Sequence, residues 1–230
     1  MKLAVMQPYL FPYIGYFQLI FESDLFLIYD DVTFIKQGYI NRNRILSPNG
    51  PTRFTVPVPG ASSNKLISDL EFSDNTTKVL KTIEQSYSKA PFFTHIFPLI
   101  HDTLKYRDRS ISSVCLQSYQ TILSYLNIER SFNKTSELDY NRSLSAQNRL
   151  ISLCHHFDAS CYINTTGGIN LYSKEDFIQK GITLNFISPL PIKYKQGVSN
   201  FTPNLSIIDI LMNCPKEDVI KIIRSYKIKN

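Results

Sequence analysis

The sequence predicts an α/β protein: an open, mostly parallel Rossmann-like sheet flanked by helices, with a β-hairpin near the N-terminus and an inserted helical block. Three observations lead there. Short apolar runs that end in polar or Pro- and Gly-punctuated turns alternate with segments of helical periodicity. Residues 39–58 read as two extended stretches around the strong turn Ser47-Pro48-Asn49-Gly50-Pro51. From about residue 75 to 126 the strand signal stops and three helical patterns follow in succession. At 230 residues, 43% hydrophobic and 19% charged, the chain is read as one domain over 1–230, with the block at about 75–126 as a subdomain.

In order, Leu3-Ala4-Val5-Met6 is a short apolar strand broken by Gln7-Pro8. The stiff aromatic turn Tyr9-Leu10-Phe11-Pro12-Tyr13 leads through Gly15 into a helix beginning with Tyr16 to Phe21. Leu25 to Tyr29 has the profile of a strand buried on both faces, ending at Asp30-Asp31, and Val32 to Ile35 continues extended. The hairpin follows, with Pro57 placing its returning strand at an edge or an end. Leu66 to Phe72 is a further strand candidate. Asp74 or Asn75 is read as the cap of a helix over Thr77 to Ser88. Pro91 opens a helix with Phe93, Phe97, Ile100 and Leu104 as its buried stripe, and a third spans Ile111 to Leu126. Beyond Ser131 the alternation resumes, with a helix capped by Ser143 and a strand Ala159 to Ile163. The loop Asn164-Thr165-Thr166-Gly167-Gly168, a helix Lys174 to Lys180 and a strand Thr183 to Ser188 come next. After Pro189-Leu190-Pro191, closing helices fill 205–226 around Pro215.

Net charge is +6, which suits an anionic small molecule such as a nucleotide or phosphorylated sugar and does not demand nucleic acid. The four cysteines lie far apart without metal-ligand spacing and are read as buried thiols of a reduced compartment. The first apolar run is too short for a secretory leader and no run reaches the length of a membrane span, so a cytoplasmic location is expected. HExxH, P-loop, GxSxG and GxGxxG motifs are absent. His155-His156 near Cys161 suggests a thiol–imidazole pair, against which stands a plain packed strand cysteine.

In an open sheet, ligands bind outside the carboxyl ends of the strands. Gln7, Asp30, Asp31 and the 164–168 loop are therefore expected to converge on one rim. A carboxylate there acts as a base or orients a sugar hydroxyl; equally, Asp30-Asp31 is ordinary turn chemistry. Arg42 between Asn41 and Asn43 offers a guanidinium fork for phosphate, with Lys36 as a second cation, and Gly167-Gly168 lets backbone amides approach an anion. Each also reads as an exposed polar face or a plain loop. Pro12-Tyr13-Ile14-Gly15-Tyr16 is similar to the HxGH turn of nucleotidyl-transferring α/β enzymes, with both histidines missing.

Several stretches carry a wider resemblance: Met6-Gln7-Pro8 through Pro12-Tyr13-Ile14-Gly15-Tyr16-Phe17, Asp30-Asp31-Val32 with Phe34, and Asn41-Arg42-Asn43-Arg44. To these are added Thr55-Val56-Pro57-Val58, Tyr87 to Pro91, Tyr162 with Gly167-Gly168 and Tyr172, Tyr194, and Pro203-Asn204-Leu205-Ser206-Ile207-Ile208-Asp209. In them the chain resembles the WbqC-like family of bacterial proteins, found among genes for surface-polysaccharide and O-antigen synthesis. Many members have His-Gln-Pro where this chain has Met6-Gln7-Pro8, so either this chain does without that histidine or its role falls to Gln7 and its neighbours.

The resemblance implies a cytoplasmic transferase of lipopolysaccharide synthesis that modifies a nucleotide-linked amino sugar by N-acyl or aminoacyl transfer. Its donor would be an acyl thioester, with an acyl carrier protein as partner and no further cofactor required. For that reaction Asp30 or Asp31 is expected as base, and Gln7 and Asn43 as amide donors. Arg42 and Lys36 would anchor phosphate, Tyr9 and Tyr13 would stack on a base or sugar, and Asn204 and Asp209 would reach the same cleft. Two alternatives stand beside it: a nucleotide-sugar binding protein without turnover, and a nucleotidyltransferase with Mg²⁺ held by Asp30 or Asp31.

Overall fold

The computed structural model describes residues 1–229. Its frame is a six-stranded sheet in the order β5-β2-β1-β6-β7-β8, formed by β1 (Lys2–Met6), β2 (Leu25–Ile28), β5 (Ser131–Lys134), β6 (Cys161–Thr165), β7 (Thr183–Pro189) and β8 (Tyr226–Lys229). Neighbours are parallel except β7 and β8, so the open, mostly parallel sheet expected from the sequence is the one observed. The chain moves from β1 outward to β2 and β5, then crosses back to lay β6 and β7 on the other side. Winding therefore reverses between β1 and β6, the position where doubly wound sheets open a crevice.

Apolar strand residues point alternately into two cores. Ala4, Phe26, Ile163 and Ile187 face a core shared with α1 (Ile14–Glu22), α4 (Ile111–Tyr125), α7 (Ile207–Asn213) and α8 (Lys216–Ile223). Leu3, Val5, Leu27 and Leu184 face α5 (Ala146–His156) and α6 (Lys174–Gln179) on the opposite side. The helical block, with α2 (Thr77–Tyr87) and α3 (Phe93–Leu104) before α4, packs into the first of these cores. Gln18, fully buried in α1, donates to the carbonyls of Ile222 and Ser225 at 3.0 Å and so closes the C-terminal end of α8.

The hairpin is β3 (Arg42–Ser47) against β4 (Gly50–Thr55), antiparallel around Pro48-Asn49. Gly50 sits at φ +102°, a conformation side chains rarely adopt.

Several local expectations are corrected. Leu66 to Phe72 is a 3₁₀ turn, Ile67–Asp69, between two isolated bridges; its buried residues Ile67, Leu70 and Phe72 do not alternate, which is why no strand forms. The residue before α2 is Thr76, not Asp74 or Asn75, and Ser145 rather than Ser143 precedes α5. In α3 the buried positions are Ile96, Ile100 and Leu104, with Phe93 and Phe97 only half-buried and stacked on each other. Residues 226–229, at and beyond the expected end of the closing helices, form the antiparallel edge strand β8, and β5 is a strand that the sequence reading passes over.

Candidate functional site

The turn after β1 is held from several sides. Tyr16 Oη donates to the carbonyl of Gln7 at 2.8 Å, and Tyr119 Oη both accepts from Tyr9 N and donates to Tyr9 O, each at 2.8 Å. Both tyrosines are buried, and burial pushes their phenols far above the ordinary value, so they stay protonated donors. Phe11 adopts φ +45°, unusual for a bulky residue. Its carbonyl takes hydrogen bonds from Asn43 Nδ2 at 2.9 Å and Ser206 Oγ at 2.7 Å, which hold that conformation in place. Ile207 N donates to Pro12 O, Leu10 N to Ile40 O and Ser206 N to Arg44 O, binding together the turn, the hairpin and the start of α7.

These tied elements enclose a cleft of about 420 Å³ lined by Tyr9, Pro12, Tyr13, Tyr39, Asn43, Arg44 and Asn204. The rings of Tyr9 and Tyr39 stand 6.1 Å apart at 52°. Burial raises the phenols of Tyr9 and Tyr13, and at Tyr9 the neighbouring phenols of Tyr13 and Tyr39 add to the effect. They are hydrogen-bond donors and apolar faces, not bases. The Tyr13 ring lies where a Cβ on Gly15 would stand, at 2.5–2.6 Å, so only glycine at position 15 leaves the ring in this place.

Arg44 lies directly opposite Arg53 across the hairpin, and both are exposed. Among the described residues neither guanidinium forms an ion pair. Like charges placed opposite each other on one sheet face are destabilising by themselves.

The site residues expected from sequence fall into three groups. Tyr9, Tyr13, Asn43 and Asn204 come together in the cleft. Gln7, Lys36, Asn41 and Arg42 do not line it: Gln7 stays half-buried at the tip of β1, Lys36 is exposed, and buried Asn41 donates to Val56 O within the hairpin. Arg42 is half-buried, with its Nε unpaired among the described residues. Tyr39, Arg44 and Arg53 were missed. The signal for the two arginines was available, because alternation puts positions 42 and 44 on one hairpin face with 53 across from 44.

The third group is buried elsewhere. Asp30 accepts from Ser112 Oγ at 2.7 Å, Ser136 N at 2.9 Å and Ser136 Oγ at 2.9 Å. Asp31 accepts from Thr135 Oγ1 at 2.6 Å, Tyr140 Oη at 2.7 Å and Arg142 Nε at 2.8 Å. Together they fasten α4, β5 and the following turn to the tip of β2. Their oxygens face hydroxyl, amide and guanidinium donors, a set that does not fit Mg²⁺, which prefers several oxygen ligands. Among the described residues no group of three His, Cys, Asp or Glu is placed to hold a metal ion.

Gly168 is buried at the tip of β6, where an added Cβ would meet Tyr172 at 3.1 Å and Asn164 Nδ2 at 3.3 Å. It and Gly167 belong with Tyr172 and Tyr162 on the α5–α6 side, apart from the cleft.

Asp209 is fully buried in the first turn of α7. Its carboxylate accepts from Tyr87 Oη and Tyr194 Oη, each at 2.6 Å, and from Gln196 Nε2 at 2.9 Å. Burial, and then the adjacent carboxylate, drive both phenols far up, which fixes them as donors. Asp209 thus joins α2 and the 190–205 segment behind the cleft rather than lining it.

His155 and His156 occupy the last turn of α5, and Cys161 is a free, half-buried strand residue whose thiol burial pushes up. His155 Nε2 contacts Lys180 O, not the thiol. No helix among the described residues is long and apolar enough to cross a membrane.

Comparison with known proteins places these features in context. The model of a family described as the WbqC-like protein family matches residues 7–221. The chain is 29% identical over 221 residues to the uncharacterized protein Rv1507c of Mycobacterium tuberculosis (strain ATCC 25618 / H37Rv), covering 94% of this chain and 95% of that protein. No solved structure gives a significant match.

Proposed function

The chain belongs to the WbqC-like protein family, and from that premise we propose that it binds a nucleotide-linked amino sugar in the tyrosine cleft and modifies it by N-acyl or aminoacyl transfer. The observation that carries the reading is Arg44 in the lining of a cleft walled by Tyr9, Tyr13 and Tyr39, with Arg53 opposite it across the hairpin. Two guanidiniums that form no ion pair among the described residues suit a diphosphate, whose oxygens accept bidentate hydrogen bonds. Tyrosine faces beside them suit the flat nucleobase or the apolar face of a sugar ring. The cleft volume of about 420 Å³ lies within the usual range for small-molecule sites.

In the transfer, the sugar's amine attacks the carbonyl carbon of an acyl thioester or an equivalent activated acyl group. The C–N bond forms, the C–S bond breaks, and the proton shed by nitrogen ends on the departing sulfur. Among the described residues the cleft lining offers amides and phenols as donors to the developing oxyanion, from Asn204, Tyr9 and Tyr13, but no carboxylate or imidazole to serve as base. The protein's contribution is then orientation and oxyanion stabilisation. The same lack favours a second reading, in which the nucleotide sugar is held without turnover. Surface-polysaccharide synthesis in the cytoplasm is the setting in which either activity is expected.

Thermal-shift measurements with nucleotide-linked amino sugars test the binding step through ligand stabilisation. The expected result is a concentration-dependent rise in Tm that Arg44→Ala and Arg53→Ala each reduce. Incubation with the sugar and an acyl thioester, read by product mass, then separates the readings: a mass increase equal to the acyl group supports transfer, and unchanged sugar supports binding alone. No stabilisation by any nucleotide sugar would overturn the proposal.

A further inference from the structure

Behind Tyr13 lies a second cavity, of about 410 Å³, which shares Tyr13 and Asn204 with the tyrosine cleft and turns away from the hairpin. Its other walls are of a different chemistry. Leu190, Ile192, Phe201, Leu205 and Ile210 line it, with prolines 189, 191 and 203 shaping its rim. Among the described residues none of its lining is acidic, and the one cation is the exposed Lys193.

This cavity is built rather than left over. Residues 190–205 form its outer wall, and that segment is fixed at three places. Leu190 N donates to Ser225 O at 3.1 Å. Tyr194 Oη and Gln196 Nε2 donate to the fully buried Asp209 carboxylate. Gln196 and Thr202 exchange hydrogen bonds in both directions, Nε2 to Thr202 O at 2.9 Å and Thr202 N to Oε1 at 2.8 Å, which closes the loop on itself. Phe201 then packs edge-on against Tyr194, with ring centroids 5.2 Å apart. Burying a carboxylate with no cation beside it is costly, and a fixed wall is what that arrangement secures here.

We propose that this second cavity is an acyl site, taking the aliphatic chain of the thioester donor while the polar cleft holds the nucleotide-linked sugar. The inference rests on the reading of the cleft given above and adds the chemical class of the second substrate. Tyr13 and Asn204 are the shared wall, so the two ligands meet there. The thioester carbonyl lies at that wall with its chain running toward Ile210 and Phe201, and the sugar's amine approaches from the side of Tyr9. The bond changes are those of the transfer already described, with the thiol as leaving group.

The test is a chain-length series on the unaltered protein. Affinities of acetyl-, butyryl- and hexanoyl-coenzyme A, measured by titration calorimetry, are expected to rise about three- to fourfold per added methylene, the factor for burying one CH₂. Ile192→Asp, which puts a charge in the half-buried wall, is expected to flatten that series. Nucleotide-sugar binding is measured on the same preparation, so the two claims fail separately. A flat series alongside normal nucleotide-sugar binding overturns the acyl site alone. A steep series without any nucleotide-sugar binding overturns the reading of the polar cleft and leaves an acyl site.

Discussion

Removal of the Asp209 carboxylate is the perturbation whose cost follows most directly from the geometry. Three donors converge on it, Tyr87 and Tyr194 at 2.6 Å and Gln196 at 2.9 Å. In Asp209→Ala, Gln196 Nε2 keeps Thr202 O as an acceptor, whereas the two hydroxyls lose theirs. Orphaning a buried donor costs about 1–3 kcal/mol, so two give about 2–6 kcal/mol. Relief from burying an anion without a cation acts the other way and brings the expected loss to about 2–4 kcal/mol. Asp209→Asn keeps one acceptor and presents an amide to the second hydroxyl, for an expected loss of about 1–2 kcal/mol. Denaturant titration measures both, with a shifted midpoint and an unchanged slope as the sign of a pure stability effect. Tyr87→Phe should also be costly, because Leu46 N donates to that hydroxyl at 3.0 Å. A double-mutant cycle of Asp209→Ala with Tyr87→Phe should give a coupling of about 1 kcal/mol or more. A loss below about 1 kcal/mol for Asp209→Ala, or strict additivity with Tyr87→Phe, would refute this account of α7 and the wall it anchors.

Other expectations follow from the same structure. Gly15→Ala puts a methyl group where the Tyr13 ring lies, so nucleotide-sugar affinity should fall at least tenfold. Stability should change by no more than about 1 kcal/mol, since Gly15 lies in the first turn of α1 and the displaced group is the outer end of one side chain; calorimetric affinity and Tm read the two effects separately. Asp30→Ala strips acceptors from Ser112 and Ser136 and should cost about 2–4 kcal/mol in denaturant titration; a loss under about 1 kcal/mol would remove its role in closing β2. The phenols of Tyr16, Tyr119 and Tyr162 are held far above their ordinary value by burial, so below about pH 10 folded and unfolded chains bind equal numbers of these protons. Above it the unfolded chain sheds protons that the folded chain keeps, and stability falls as pH rises. Tyrosinate absorbance from these residues should therefore appear together with loss of circular dichroism, not before it. Burial pushes the Cys154 thiol up to about 12 and the Cys214 thiol up to about 11, and Cys115 well above its usual range. A thiol reagent at neutral pH should label half-buried Cys161 first, as read by peptide mass.

Much of the frame was legible in the sequence because its signals are local. The apolar runs of β1 and β2 end at Pro8 and at Asp30, and both faces of each run are buried. The hairpin turn carries Pro and Gly where the backbone needs them. The edge strands were not legible for the same reason. Residues 131–134 and 226–229 are polar, short and half-exposed, and only pairing with β2 and β7 makes them strands. Of the site, the aromatic turn was visible as Tyr9 and Tyr13, and Asn204 through its motif. Asp30 and Asp31 carried the right chemistry in the right place along the chain. Their partners Ser112, Ser136 and Arg142 come from distant segments that no local pattern links to them, and these partners turn both acids into structural clasps. Arg42 was chosen over Arg44 because two asparagines flank it, whereas strand pairing with Arg53 and contact with the cleft single out Arg44.

The central claim is that the tyrosine cleft with the Arg44–Arg53 pair receives the nucleotide-linked sugar. A crystal structure of the complex with a nucleotide-linked amino sugar tests it most directly. The expected density places the diphosphate within hydrogen-bond distance of both guanidiniums, with a base or sugar ring on Tyr9 or Tyr39. A ligand seated instead between the tips of β1 and β6, against Gly167 and Gly168 with Arg44 and Arg53 untouched, would contradict it.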